Sequence, residues 1–216
     1  MPDTGRVTPA QPEMSDTSGP EYAERLSRLQ NATWKKILHV QAPYHADLRK
    51  QQLGRTLEIG CGLGRVLEVL PEGSIGVDHN PHFIRMARER GLSAYTLEEF
   101  LADPELAKAE KYDSLLAAHF IEHLTEEDAR TIMASYLPYL KPGGRVLYIT
   151  PQERGYASDP THLVFTDFAG LRRLNDDLGL ETVREWSFPF PRWTGKPFIY
   201  NEFHVIARKP AISAAD

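Results

Sequence analysis

With 216 residues, 41% of them hydrophobic and 25% charged, the chain suits one globular domain of ordinary composition with an extension. Its formal net charge of -5 and its lack of a basic run argue against nucleic acid as the main partner. A single cysteine, Cys61, excludes an internal disulfide framework and suits a reducing cytoplasm, and with no apolar run of about 18 residues neither membrane insertion nor export is expected.

Residues 1–20 hold Pro2, Pro9, Pro12 and Pro20 among Ser, Thr, Asp and Gly, too little apolar surface to offset ordering, and predict a disordered tail. From Tyr22 the series Leu26, Leu29, Thr33 and Ile37, with Trp34 and Leu38 beside it, follows a 3.6-residue stripe. Pro43 interrupts it, and Tyr44 to Gln52 reads as a second short helix, so residues 21–53 predict a helical cover or lid. Trp34 and Tyr22 are candidates to face a ligand.

Thr56 to Ile59 reads as a strand leading into Gly60-Cys61-Gly62-Leu63-Gly64, and Arg65 to Leu70 as a helix. Alternating glycines let backbone approach a ligand closely, and a strand-to-helix turn of this kind cradles a nucleotide-like molecule. The next strand, Ser74 to Val77, ends in Asp78, placed to accept both hydrogen bonds of a ribose diol. The dinucleotide fingerprint needs a third glycine where Arg65 stands, and Glu58 would repel a diphosphate. S-adenosylmethionine carries an ammonium and a sulfonium and no phosphate, so an acid there favours it over NAD. Beyond Asp78 and His79, Asn80 can cap a helix beginning at Pro81, which Gly91 ends. Ser93 to Leu97 reads as a third strand, with a polar helical stretch from Glu98; Leu97 and Glu98 are candidates to lie beside an adenine.

Tyr112 to Ala118 is a fourth strand, apolar enough at its end for burial on both faces. It leads into His119-Phe120-Ile121-Glu122-His123-Leu124, then a helix from a Thr125 cap to about Leu140, a Lys141-Pro142-Gly143-Gly144 turn, and a fifth strand from Arg145 to Thr150. The alternation of strand and helix predicts a parallel α/β sheet. A long polar loop, 151–162, offers Arg154, Tyr156, Asp159 and His162 to hold an acceptor or take its proton. A helix capped at Thr166 or Asp167 and reaching Leu178 follows, then strands at Thr182 to Phe188 and Phe203 to Ala207 around an aromatic loop.

Glu58-Ile-Gly-Cys-Gly-Leu-Gly, Gly76-Val-Asp78, Ile121-Glu-His123-Leu and Leu140-Lys-Pro-Gly-Gly144-Arg, in that order, resemble the successive signatures of the class I S-adenosylmethionine-dependent methyltransferases, above all the small-molecule group similar to those of ubiquinone biosynthesis. The resemblance covers about residues 54–150 and implies a Rossmann-like α/β sheet of seven strands with the last pair antiparallel and helices on both faces. It implies a methyltransferase domain over 54–209, a tail over 210–216, and S-adenosyl-L-methionine bound by Glu58, Gly60, Cys61, Gly62, Asp78, His79, Leu97, Glu98, Ala118 and His119. Many relatives carry an aspartate with an apolar neighbour after the third strand, where this chain has Thr96-Leu97-Glu98. The implied reaction is in-line methyl transfer to a small-molecule acceptor, with His119 and His162 as candidate proton acceptors and Trp34, Arg154 and Tyr156 as candidate acceptor contacts.

Other readings remain open at this stage. The chain could be a non-catalytic cofactor-binding protein or a nucleotide-dependent oxidoreductase. His119-Phe-Ile-Glu122-His123 also satisfies H-x-x-E-H, an inverted zinc-hydrolase pattern that needs both histidines on one helix face and a third ligand from elsewhere. Because that segment reads as strand end and turn rather than helix, no metal is expected.

Overall fold

The computed structural model describes residues 43–211. The predicted tail over 1–20, the stripe from Tyr22 to Leu38 with Trp34, and residues 212–216 lie outside them. The first described element is helix α1, residues 43–50, the Tyr44–Gln52 expectation within two residues at its end.

The strands are β1 Thr56–Ile59, β2 Ile75–Asp78, β3 Ala94–Thr96, β4 Tyr112–Ala118, β5 Leu140–Pro151, β6 Glu181–Phe188 and β7 Glu202–Arg208. They form one seven-stranded sheet in the order β3-β2-β1-β4-β5-β7-β6. The first five pair in parallel, while β7 runs antiparallel to both β5 and β6. The reversal brings the start of β7 to the same edge as the carboxyl ends of β1 and β4. The order also changes direction at β1, where the next parallel neighbour on the far side is β4, and open α/β sheets bind ligands at such a crevice.

Helices α2 Pro81–Glu89, α3 Leu97–Ala102, α4 Glu126–Tyr136, α5 Glu153–Tyr156 and α6 Phe168–Asp177 follow their strands, and local chemistry sets their ends. Asn80 accepts from the His82 N–H at 2.9 Å with Pro81 at the first helical position. Thr96 and Glu99 form a reciprocal capping box. Thr125 caps α4 by accepting from the Asp128 N–H at 3.1 Å, and Asp167 caps α6. α4 stops short of the expected Leu140 because Pro138 cannot donate within a helix, and the chain tightens into a 3-10 turn over Leu137–Tyr139.

Two segments differ from expectation. The helix predicted over Arg65 to Leu70 is only a 3-10 turn, Leu67–Val69: Pro71 pushes the residue before it out of the helical region, and Leu70 is extended at φ -73°, ψ 155°. β5 begins at Leu140 rather than Arg145, a register shift between Tyr112 and Ser114 taking up the Lys141–Gly144 kink.

Each sheet face has its own core, as the two-residue period of a strand requires. Leu115, Ala117, Val146 and Tyr148 face Met133 of α4 and Leu171 of α6, while Leu116, Ala118, Leu147 and Ile149 face Leu48 of α1. Burying one such leucine stabilises the fold by about 2 kcal/mol. The aromatic loop between β6 and β7 is fastened by an ion pair, Arg192 Nη2 to Glu153 Oε1 at 2.6 Å, and by a network of uncharged groups. Asn201 Nδ2 donates to Gln152 Oε1 and Ser187 Oγ, both at 2.9 Å, Gln152 Nε2 donates to Ser187 Oγ at 2.8 Å, and the Phe190 N–H donates to Asn201 Oδ1 at 3.0 Å.

Candidate active site

The glycine turn and the ends of β1 and β2 close on one another. The N–H groups of Gly60 and Cys61 both donate to the Val77 carbonyl, at 2.8 and 3.1 Å. Asp78 Oδ2 accepts from the Gly62 N–H and Oδ1 from the Asn80 N–H, each at 2.8 Å. Both Gly60 and Gly62 are left-handed, at φ +69° and +51°, but for different neighbours. A Cβ on Gly60 would overlap the Phe120 ring, whereas nothing lies within 4 Å of one on Gly62, so Gly62 faces open space. Cys61 is 6% exposed and its side chain packs with Leu67, Ile84, Ala87 and Ala94, which leaves its backbone as the part within reach of a ligand.

Glu58 is 2% exposed, and its Oε2 has no hydrogen-bond partner among the described residues. Burial first, and then the Asp78 carboxylate, push its pKa up to about 8. A buried polar atom without a partner costs about 1–3 kcal/mol, a cost a bound cation would relieve. His79, exposed, has Nδ1 3.4 Å from Asp78 Oδ1. Leu97 and Glu98 are exposed in the first turn of α3, directly after β3. The sequence-predicted cofactor residues therefore gather along one sheet edge.

His119 leaves the end of β4 with φ +55°, a left-handed conformation unusual for a residue with a side chain. Its Nε2 lies 2.9 Å from Glu202 Oε1, and its Nδ1 3.3 Å from Glu122 Oε1, the latter outside hydrogen-bond geometry. Burial opposes charge on the ring, but Glu202 and then Glu122 override it and raise the pKa to about 10. The side chain is 41% exposed, so solvent screens both pairs. Glu202 also meets His204, Oε2 to Nε2 at 3.0 Å, and His204 Nδ1 lies 3.4 Å from Asp47 Oδ2 on α1. Although burial favours the neutral acid, His119 and His204 hold the Glu202 carboxyl at about 2.

Tyr44 on α1 joins the two halves. Its hydroxyl is buried without a partner among the described residues, its ring meets His204 edge-on at 6.2 Å, and burial followed by Glu202 and Glu58 raises its pKa well above that of an ordinary phenol. The sequence reading missed Tyr44, Asp47, Glu202 and His204 as site residues. One signal was present: Glu202 and His204 stand two apart on a strand, hence on one face.

The loop after β5 brings His162 to His123, ring centroids 4.8 Å apart, with Tyr156 stacked on His162 at 5.4 Å. Residues 121–123 form a 3-10 turn, so His119 and His123 do not share a helix face as the zinc-hydrolase pattern requires. Arg154 is exposed on α5.

The family model described as a methyltransferase domain matches residues 57–146. A ubiquinone biosynthesis O-methyltransferase of Histophilus somni is 28% identical over 152 residues, 61% of this chain and 63% of that protein. The Actinobacillus pleuropneumoniae serotype 5b protein of the same description is 28% identical over 56% of this chain and 57% of its own. The matched stretch thus spans less than two thirds of these relatives. Among solved structures, a SAM-dependent methyltransferase of Archaeoglobus fulgidus superposes with a TM-score of 0.60 at 21% identity, covering 77% of this chain and 93% of its own. The magnesium protoporphyrin IX methyltransferase of Synechocystis PCC 6803, solved with bound SAH, gives 0.63 at 16% identity, covering 90% and 96%. Residues 57–146 thus match a methyltransferase domain, and the strand order with its reversed seventh strand is the fold shared with these S-adenosylmethionine-dependent methyltransferases.

Proposed function

We propose that the protein transfers the methyl group of S-adenosylmethionine to a small organic acceptor bound beside Tyr44, His119 and Glu202. The observation that carries this reading is the buried, unpartnered Glu58 carboxylate oxygen beside an open Gly62 and a backbone-anchored Asp78. These residues fit the donor. A carboxylate suits its ammonium, the space before Gly62 admits backbone contact, and each Asp78 oxygen keeps a second lone pair for a diol hydroxyl.

When bound there, S-adenosylmethionine supplies a methyl group already activated by its sulfonium. The protein's part is orientation, which can lower a barrier of this kind by up to about 7–11 kcal/mol. His119 directs the acceptor side: its ring is fixed between two carboxylates and its backbone is turned left-handed at the end of β4. Tyr44, whose hydroxyl has no partner among the described residues and lies in a buried aromatic setting of His204 and Phe188, supplies a hydrogen-bonding group for the acceptor. A small acceptor is favoured by this aromatic enclosure and by the printed descriptions of the relatives, which name ubiquinone biosynthesis and magnesium protoporphyrin IX.

The test is calorimetric titration with S-adenosylmethionine, S-adenosylhomocysteine and NAD. Micromolar binding of the first two, weakened at least tenfold in Asp78→Ala, supports the reading. Preference for NAD, or unchanged affinity in Asp78→Ala, overturns it.

A further inference from the structure

Beside the acceptor region, Glu122, His123 and His162 each present a ligand atom, and the three atoms lie within 4.8 Å of one another. We infer that these residues form a binding site for a divalent transition-metal ion such as Zn²⁺, with a two-imidazole, one-carboxylate donor set.

Glu122 carries the argument. Its side chain is 0% exposed, neither carboxylate oxygen accepts a hydrogen bond among the described residues, and only the His119 ring, at 3.3 Å from Oε1, offers a cation. Apart from that one-sided contact with His119, the carboxylate makes none of the local bonds, which belong to the main chain: the Glu122 carbonyl accepts from the Leu163 and Val164 N–H groups at 2.7 and 3.3 Å. Those bonds bring the 161–164 loop, and His162 with it, against the 121–123 turn.

Both imidazoles are also set up as ligands. His123 Nδ1 faces the Thr161 carbonyl at 3.2 Å and His162 Nδ1 faces the Tyr156 carbonyl at 2.8 Å. The Thr161 hydroxyl, also 3.2 Å from His123 Nδ1, donates to Asp159 Oδ1 at 2.7 Å, and a carbonyl only accepts, so each Nδ1 carries the proton and each Nε2 keeps its lone pair. This backbone-to-imidazole arrangement is the outer-shell support that orients metal-binding histidines. In addition, Tyr156 stacked at 5.4 Å fixes the plane of the His162 ring. Tetrahedral bonds of about 2.1 Å put ligand atoms about 3.4 Å apart, so a spread of at most 4.8 Å closes with side-chain rotations of about an ångström. Two nitrogens and one oxygen suit Zn²⁺, Fe²⁺ or Co²⁺ better than Mg²⁺ or Ca²⁺, which prefer all-oxygen sets. The set differs from the H-x-x-E-H pattern in the sequence: His119 is replaced by His162 from the loop after β5.

The test uses the full chain stripped with a chelator and titrated with Zn²⁺, and with Co²⁺ followed by visible absorption. One site of micromolar or tighter affinity is expected, with a Co²⁺ spectrum of low coordination number. His162→Ala, at a half-buried position, and Glu122→Gln should each weaken binding at least 100-fold. Binding of S-adenosylhomocysteine, measured on the wild-type and His162→Ala samples, should stay within about threefold, which separates this proposal from the methyl-donor reading. Absence of Zn²⁺ binding in the wild-type chain, or wild-type affinity in a folded His162→Ala chain, overturns the site.

Discussion

Replacing Glu58 by Gln tests whether the carboxylate meets the donor as an anion. With a folded-state pKa of about 8, the ionised fraction of Glu58 is about one in 300 at pH 5.5 and about one in 11 at pH 7.0. A donor whose ammonium requires the anion therefore binds about 30-fold more tightly at pH 7.0 than at 5.5, a difference of about 2 kcal/mol. Over that interval the donor's α-ammonium keeps its proton. Calorimetry in buffers of different ionisation enthalpy should also show close to one proton released per donor bound at the lower pH. Glu58→Gln should bind weakly throughout and lose both the slope and the proton release. Its stability should change in the opposite direction. A carboxyl with a raised pKa binds more protons folded than unfolded, so stability falls as pH rises from 4.5 to about 8, and at pH 7 the neutral variant gains about 3 kcal/mol. A flat wild-type affinity profile, or a slope that survives in Glu58→Gln, would refute the placement of the donor's ammonium at Glu58.

The two glycines should separate fold from binding. Gly60→Ala combines a left-handed residue with overlap on Phe120 and should lower stability by at least about 2 kcal/mol in urea titration. Gly62→Ala meets no atom and should cost about 1 kcal/mol, while donor affinity falls at least tenfold; equal effects of the two on stability would contradict the geometry. Glu202→Gln should destabilise the protein by about 3 kcal/mol at neutral pH, from a carboxyl held at about 2 instead of 4.5. Its depressed pKa means that this stability is present above pH 4.5 and lost as pH falls towards 2. Unfolding curves of wild type and variant should thus converge in acid, and a constant gap would show that Glu202 acts by packing alone.

The fold was legible in the sequence where an apolar strand leads into a helix whose start is marked, as Asn80-Pro81 marks it after β2 and Thr125 after β4. The placement of the proposed donor residues on one edge was legible for a related reason. Those residues follow β1, β2 and β4 at once, so contiguous sequence already places them on one edge. The other half of the proposed site was not legible, because contacts there join residues remote in the chain. His119 and Glu202 are 83 positions apart, and only the reversal of β7 makes them neighbours. His162 likewise reaches His123 through a loop with no periodicity to read. The short helix expected over Arg65 to Leu70 failed on a single residue, Pro71, whose effect on Leu70 outweighs the apolar pattern before it.

Two elements flank the proposed acceptor side, and their charged fastenings differ in exposure. Helix α1 is held partly by a buried ion pair, His204 with Asp47, whereas the aromatic loop is tied by the more exposed Arg192–Glu153 pair together with the amides of Gln152 and Asn201 and the hydroxyl of Ser187. Added salt screens the exposed Arg192–Glu153 pair and leaves the amide network untouched. Ionic strength therefore loosens only the loop's outer tie, and the amide network keeps the loop seated on the sheet as salt rises.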